Sequence, residues 1–325
     1  MPEVRVDPLT GLRTIIAADR AGRPGGGLSC TVPDPIDPET DPFLEGHEDR
    51  TPPELFRAGA GEPDTPGWSV RVVPNLYPAL TPEAADPDRD AYPDLFTALA
   101  ARGGHEVVIN APQPLVSLSQ LEPAQVAAAV EVWRARIRHH VAAGAAYVHV
   151  IVNERREGGA SLPHTHAQVY ALPFVPAQVA RERERFGAHA TRTMGGNLLG
   201  DLVQEEVRRR ERLVAVDDEA VLIAPYASRL PFQLMLAPRR PQPRFEDDSA
   251  GAALLHDALN RLARRFGSPP PLNLWVRTAP PGAEQFGWRI DIQPRLTHLA
   301  GLEMGAGVNL NIVSPELAAA ELRDA

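Results

Sequence analysis

Gly158-Gly159-Ala160-Ser161-Leu162-Pro163-His164-Thr165-His166-Ala167-Gln168-Val169-Tyr170 is the stretch that decides how this chain is read. Just upstream, Val148 to Val152 has the character of a buried strand. If His164 to Tyr170 is extended as well, its side chains alternate between two faces. His164, His166 and Gln168 then share one face, and Thr165, Ala167 and Val169 the other. Two imidazoles and an amide after a glycine turn suit chemistry on a phosphate. The turn offers backbone N–H groups to an anion, and a neutral imidazole can attack phosphorus. A lone strand histidine is more often simply packed and hydrogen-bonded, but H-x-H-x-Q behind Gly-Gly-x-Ser weighs towards function. Histidines at i, i+2 on a strand also suit Zn²⁺, provided other parts of the chain supply further ligands.

The 325 residues suffice for one large or two medium domains. A net charge of −9 argues against general nucleic-acid binding. All 33 basic residues are Arg and none is Lys, which removes Schiff-base chemistry and a P-loop lysine. Arginine is left as the permanent cation for phosphate, a role its planar fork suits. With Cys30 as the one cysteine, neither an intrachain disulfide nor a Cys-rich zinc site can form. Met1 to Pro8 lacks the apolar region of a signal peptide, and no run of about 18 apolar residues follows. The expectation is a cytoplasmic protein that meets neither membrane nor nucleic acid.

From Arg23 to Pro66 the chain is rich in Pro, Gly, Asp and Glu and reads as a long surface loop. Strands are expected at Trp68 to Val73, His105 to Ile109 and Tyr147 to Val152, and a helix over Glu122 to Ala143 on the spacing of Val126, Val130, Trp133 and Ile137. Ala177 to Phe186 reads as a charged helix. Further strands are expected at Leu213 to Val216, Ala220 to Ala224, Phe232 to Ala237, Leu272 to Arg277 and Trp288 to Ile292. Ala250 to Phe266 reads as a helix with Ser249 as N-cap. Arg208 to Arg212 reads as a solvated charged stretch, and Trp288 as core. The order strand, strand, helix, strand, loop, strand occurs twice, which predicts an internal duplication. The expected fold is α+β, two fused halves (residues 1–190 and 191–325), each an antiparallel sheet with helices. Trp288 to Ile292 takes the motif's place in the second half, so one active centre is expected, in the first.

With motif and repeat in hand, the chain resembles the galactose-1-phosphate uridylyltransferase family of the histidine-triad superfamily. The resemblance runs from Asp7-Pro8-Leu9-Thr10-Gly11 and Asp19 to Pro24, through Gly46 to Glu54, Arg71 to Leu80, Gly104-His105-Glu106-Val107 and the His164 to Gln168 motif, to Pro294-Arg295-Leu296, Ala300 to Glu303 and the helix Pro315 to Arg323. It implies a two-step nucleotidyl transfer from a nucleotide sugar to a sugar 1-phosphate or phosphate acceptor. His166 matches the nucleophile, Gln168 and Ser161 match donors to the phosphoryl oxygens, and His164 shapes the site. Asn153 matches a supporting residue, Asn75 a nucleoside-binding position, and Arg20 and Arg23 the phosphate pocket. A homodimer is implied as well. Family members often carry structural metals, but Asp41, Leu44 and Pro114 stand at three of the zinc-ligand positions, beside His164. Near Glu182 or Glu184, Gly287 and Arg289 stand where histidines of a second metal site are expected. No metal and no other cofactor is therefore expected. A nucleotide-sugar or dinucleoside-polyphosphate phosphorylase or hydrolase is the alternative activity, and a silent nucleotide-binding protein is the alternative outside enzymes.

Overall fold

A computed structural model describes residues 1–22, 28–88 and 95–325. Thirteen strands and six α-helices are found among them. In chain order these are β1 (Glu3–Val6), β2 (Arg13–Ile16), β3 (Phe56–Gly59), β4 (Trp68–Pro74), β5 (Gly104–Ile109), α1 (Pro123–Ala142), β6 (Tyr147–Glu154), β7 (His166–Leu172), α2 (Ala177–Thr193) and α3 (Leu198–Arg209). Then come β8 (Leu213–Val216), β9 (Ala220–Ile223), β10 (Leu234–Pro238), α4 (Ala252–Phe266), β11 (Leu272–Arg277), β12 (Arg289–Pro294), α5 (Gly301–Ala306), β13 (Asn309–Asn311) and α6 (Pro315–Arg323).

Ten strands form one antiparallel sheet in the order β3-β4-β5-β7-β6-β11-β12-β10-β9-β8. Read inward from either edge, both halves have the same order, with the fifth strand between the third and fourth. In each half a long helix, α1 or α4, joins the third strand to the fourth. The halves meet where β6 pairs with β11, Asn153 lying opposite Asn273. The fold is thus α+β, built from two like antiparallel units in one continuous sheet.

Alternation decides which face carries what. Val148, Val150 and Val152 of β6, Ala167 and Val169 of β7, and Leu272, Leu274 and Val276 of β11 point to one side. There they pack on Val126, Val130, Trp133 and Ile137 of α1 and on Leu254, Leu255, Leu259 and Leu262 of α4. Trp288 is fully buried in this core, as its sequence context suggests. On the opposite face, α2 and α3 cover the second half through Val179, Phe186, Leu199 and Val203. The loop carrying Phe43 covers part of the first half, against Trp68, Val107 and Ile109. Between these two covers lies a polar floor of half-buried side chains, including Asn153, Gln168, Asn273 and Trp275.

Several expectations are corrected. β7 begins at His166, and His164 precedes it in a bend, so His164 is not part of the strand. The Arg23 to Pro66 segment is not all surface loop: β3 pairs with β4, and Asp41, Phe43 and Glu48 are buried. α4 starts at Ala252 with Gly251 as N-cap, not Ser249. Gly251 has φ 98°, and a Cβ there would meet Leu236 Cδ2 at 2.9 Å, so the helix starts where only glycine fits. Arg208 and Arg209 are exposed, but Arg212 is buried, paired with Glu206 at 3.0 Å and Glu316 at 2.8 Å. A three-stranded sheet, β1-β2-β13, and the helix α3 have no counterpart in the sequence reading.

One buried carboxyl bears on stability. Glu154, at the end of β6, accepts hydrogen bonds from Ser117 Oγ at 2.7 Å and Leu118 N at 2.7 Å, holding the adjoining 3-10 turn. Burial outweighs these bonds and pushes its carboxyl up from 4.5 to about 7. The native state therefore holds the proton more tightly, and stability falls as pH rises from 4.5 to about 7. Glu154→Gln should raise stability at pH 8 by up to about 3 kcal/mol, an upper bound from the size of the shift. At pH 4 the gain should vanish. Urea unfolding at both pH values checks this, and an equal effect at the two would refute it.

Candidate active site

His166 opens β7 next to β5, with Ile109 as its cross-strand partner. Its Nδ1–H donates to the His164 carbonyl at 2.8 Å. That bond places the ring hydrogen on Nδ1 and leaves Nε2 with its lone pair. Burial pushes the imidazole below its usual range, partly opposed by the bond to the His164 carbonyl, while the His164 ring lowers it further. The neutral form is therefore favoured. Phe43 meets the His166 ring edge-on at 5.3 Å between centroids.

Gln168 follows on the same face of β7. Its Oε1 accepts from His105 Nε2 at 3.0 Å and from the Tyr170 hydroxyl at 2.8 Å. Asn153, on β6, comes next. Val152 pairs with Ala167, so continuing the register by one residue sets Asn153 opposite His166. Its Oδ1 accepts from Asn273 Nδ2 at 2.7 Å. Asn75 directly follows β4, where its Oδ1 accepts from Tyr77 N at 2.9 Å in a turn and its Nδ2 lies 3.2 Å from His105 Nε2. Of the sequence-derived residues, His166, Gln168 and Asn153 thus share one face of the adjoining strands β7 and β6, and Asn75 lies beside His105, the partner of Gln168.

The glycine turn is more committed than its sequence suggests. The N–H groups of Gly158, Gly159 and Ala160 all donate to the carbonyls of Arg155 and Arg156. A Cβ on Gly158 would come within 2.6 Å of Leu272 O, so the turn packs against β11 only as glycine. Ser161 is exposed at the far side of the turn. Any anion contact from this loop must come from Ser161 onward. Arg20 is exposed on the 3-10 helix Ala18–Gly22, and Arg23 lies outside the described residues.

His164 is fully buried. Its Nδ1 meets Asp41 Oδ2 at 2.6 Å and its Nε2 meets the Ala111 carbonyl at 2.8 Å. Both partners are acceptors, so both ring nitrogens carry hydrogen and the ring faces Asp41 as a cation. Asp41 is held in turn by Phe43 N at 3.0 Å. Burial would raise the Asp41 carboxyl, but the hydrogen bond and charge of His164 hold it below its usual value. Where the family resemblance places zinc, this chain has an internal ion pair, and neither ring nitrogen of His164 has a lone pair left for a metal. At the second metal position Glu182 pairs with Arg289 at 2.9 Å, and Arg289 also contacts Asp291 at 3.0 Å. A guanidinium occupies the centre of that cluster. These residues do not fit either metal. Elemental analysis of protein purified without a His-tag should accordingly find well under one zinc or other transition metal per chain; one chelation-resistant metal per chain would contradict the ion-pair reading.

Sequence reasoning missed His105, Tyr170, Asn273 and Asp41 as members of the site. Tyr170 shares the motif's alternation and was within reach of that argument. His105 and Asn273 required the strand pairing, and Asp41 was noted as a replaced zinc position but not as the partner of His164.

Comparisons with known proteins bear on the family and the fold. The profile described as Galactose-1-phosphate uridyl transferase, N-terminal domain, matches residues 1–176. A second profile, a domain of unknown function, matches residues 123–324. An ADP-glucose phosphorylase of Arabidopsis thaliana is 29% identical over 99% of this chain and 93% of its own length. A galactose-1-phosphate uridylyltransferase of Rattus norvegicus is 30% identical over 73% of this chain and 60% of its own. The crystal structure of an Arabidopsis thaliana ADP-glucose phosphorylase with bound ADP-glucose superposes with a TM-score of 0.83 and 28% identity, covering 100% of this chain and 99% of that one. The chain belongs to the galactose-1-phosphate uridylyltransferase family, and the relatives just named are an ADP-glucose phosphorylase and a galactose-1-phosphate uridylyltransferase.

Proposed function

We propose that the protein moves a nucleoside monophosphate from a nucleotide sugar to a phosphate-bearing acceptor through a nucleotidyl-His166 intermediate. The observation that carries this is the His166 ring, neutral, with Nδ1–H tied to the His164 carbonyl and Nε2 without a partner among the described residues. Nε2 attacks the α-phosphorus. An N–P bond forms, the P–O bond to the β-phosphate breaks, and sugar 1-phosphate leaves with the electron pair. A phosphate oxygen of the acceptor then attacks the same phosphorus and expels the imidazole. The leaving group is a phosphate, so no strong general acid is needed. Gln168 and Ser161 donate to the phosphoryl oxygens, where charge develops. Asn153 supports the site, Asn75 contacts the nucleoside, and Arg20 and Arg23 meet the phosphates.

The acceptor separates two readings. Transfer to a sugar 1-phosphate is the uridylyltransferase reaction. Transfer to inorganic phosphate is favoured by the full-length similarity to an ADP-glucose phosphorylase. Incubation with labelled ADP-glucose, UDP-glucose and UDP-galactose should leave acid-labile nucleotide on the His166 peptide. Release of that label by inorganic phosphate alone would mark a phosphorylase, and release only by a sugar 1-phosphate a transferase. No protein-bound label from any nucleotide sugar would end the covalent reading.

A further inference from the structure

The two amides of the site each expose one end and have the other end taken, and in both the oxygen is taken. Gln168 Oε1 receives two hydrogen bonds, from His105 and Tyr170. Asn153 Oδ1 receives one, from Asn273, whose Nδ2 also donates to the Gly158 carbonyl at 2.6 Å. Neither amide nitrogen has a partner among the described residues. A carboxamide can turn over at little cost unless its surroundings distinguish oxygen from nitrogen. Here they do, and always in the same sense.

We propose that His105 and Asn273, one from each half of the sheet, are positioning residues that fix the polarity of Gln168 and Asn153. Both –NH₂ groups then face the phosphoryl group beside His166 Nε2. The His105 tautomer makes the device directional. Ala79 N donates to His105 Nδ1 at 3.1 Å, so the ring hydrogen must sit on Nε2. Nε2 can then only donate, and Gln168 Oε1 is the acceptor in front of it. Asn75 Nδ2, 3.2 Å from the same nitrogen, is a neighbour rather than a partner. The ring stacks on Tyr170 with 4.1 Å between centroids, which fixes its plane. Burial pushes the His105 imidazole down, so the neutral donor persists at physiological pH. With oxygen outward instead, each amide would set a lone pair against a developing phosphoryl anion.

This inference rests on the covalent reading above, and its test is built to fail separately from it. In single-turnover adduct formation with ADP-glucose, His105→Ala should slow kcat by about tenfold to a hundredfold with KM within about threefold, since the donor acts in the transition state. His105→Gln places an amide N–H near the lost Nε2–H and should recover most of the rate. In a Gln168→Ala chain, adding His105→Ala should cost less than about threefold more, because the amide to be oriented is gone. Asn273→Asp, which cannot donate to Asn153, should likewise lower kcat. Multiplicative losses in the double mutant, or no recovery in His105→Gln, would overturn the proposal. Independently of turnover, the side-chain ¹⁵N signal of Gln168 in [¹⁵N]Gln-labelled protein should shift on adding ADP, and the shift should disappear in His105→Ala. The same shift in both proteins would refute the orientation. The wild-type shift without any adduct would sink the covalent reading and leave the orientation standing.

Discussion

His166→Gly should abolish turnover, with a loss of at least about 10⁴-fold, because on the proposed mechanism it removes the atom that bonds phosphorus. The substitution leaves a hole the size of an imidazole at the mouth of β7. The surrounding donors stay in place, since Gln168 is fixed by His105 and Tyr170, and Asn153 by Asn273. A nucleoside 5′-phosphoimidazolide offers the missing ring already joined to the nucleotide. The variant should therefore transfer nucleotide from that reagent to inorganic phosphate or a sugar 1-phosphate, bypassing the first step. Measuring both reactions separates chemistry from folding. Normal turnover of a nucleotide sugar by His166→Gly would overturn the assignment, as would an adduct on His164.

Asp41→Ala should be the most damaging change outside the reacting atoms. It strips the counter-charge from His164, a fully buried ring that keeps one acceptor, the Ala111 carbonyl. Breaking a buried pair by deleting one member costs about 3–5 kcal/mol. The loop that presents Phe43 to the His166 ring would loosen with it, so the surviving fraction should also turn over more slowly. Removing both members, Asp41→Leu with His164→Leu, should cost less than Asp41→Ala alone, because no uncompensated charge remains. The sign of the pH dependence follows from the carboxyl. Asp41 is held below its usual value, so its contribution is complete above the ordinary carboxylate range and is lost as pH falls through its lowered value. Denaturant midpoints for wild type, single and double variants at neutral and acid pH test all of this. A double variant no more stable than the single one would refute the ion-pair account.

The strand and helix plan was legible because the core face is regular. Valines alternate along β6, and Val126, Val130, Trp133 and Ile137 recur at helical spacing on α1. The H-x-H-x-Q spacing placed His166 and Gln168 on one face from sequence alone. His164 misled because alternation was carried through a bend, and in the bend the ring points into the Asp41 loop. β13 escaped notice because Asn-Leu-Asn has no periodicity, and its parallel pairing with β2 joins distant parts of the chain. The partners that tune the site were illegible for the same reason. Asp41 and His164 are 123 positions apart, and Asn153 and Asn273 are 120 apart, so pattern within a window cannot join them. One signal did exist for Asp41. An acid standing at one of the zinc-ligand positions that the resemblance implies, with a histidine ligand left over elsewhere, balances that histidine's charge directly.

The seam between β6 and β11 has a consequence for how the molecule can be divided. A first half cut away from the second would carry every candidate catalytic side chain, yet β6 would become a bare edge. Its Tyr147-Val148-His149-Val150-Ile151-Val152 run, rich in β-branched residues and free of proline and charge, is the kind of edge that recruits a foreign strand. Two such fragments would zip together edge to edge, putting Asn153 against another β6 instead of Asn273. The second half thus covers the edge of the first, and selection against aggregation would keep it even if its own pocket bound nothing.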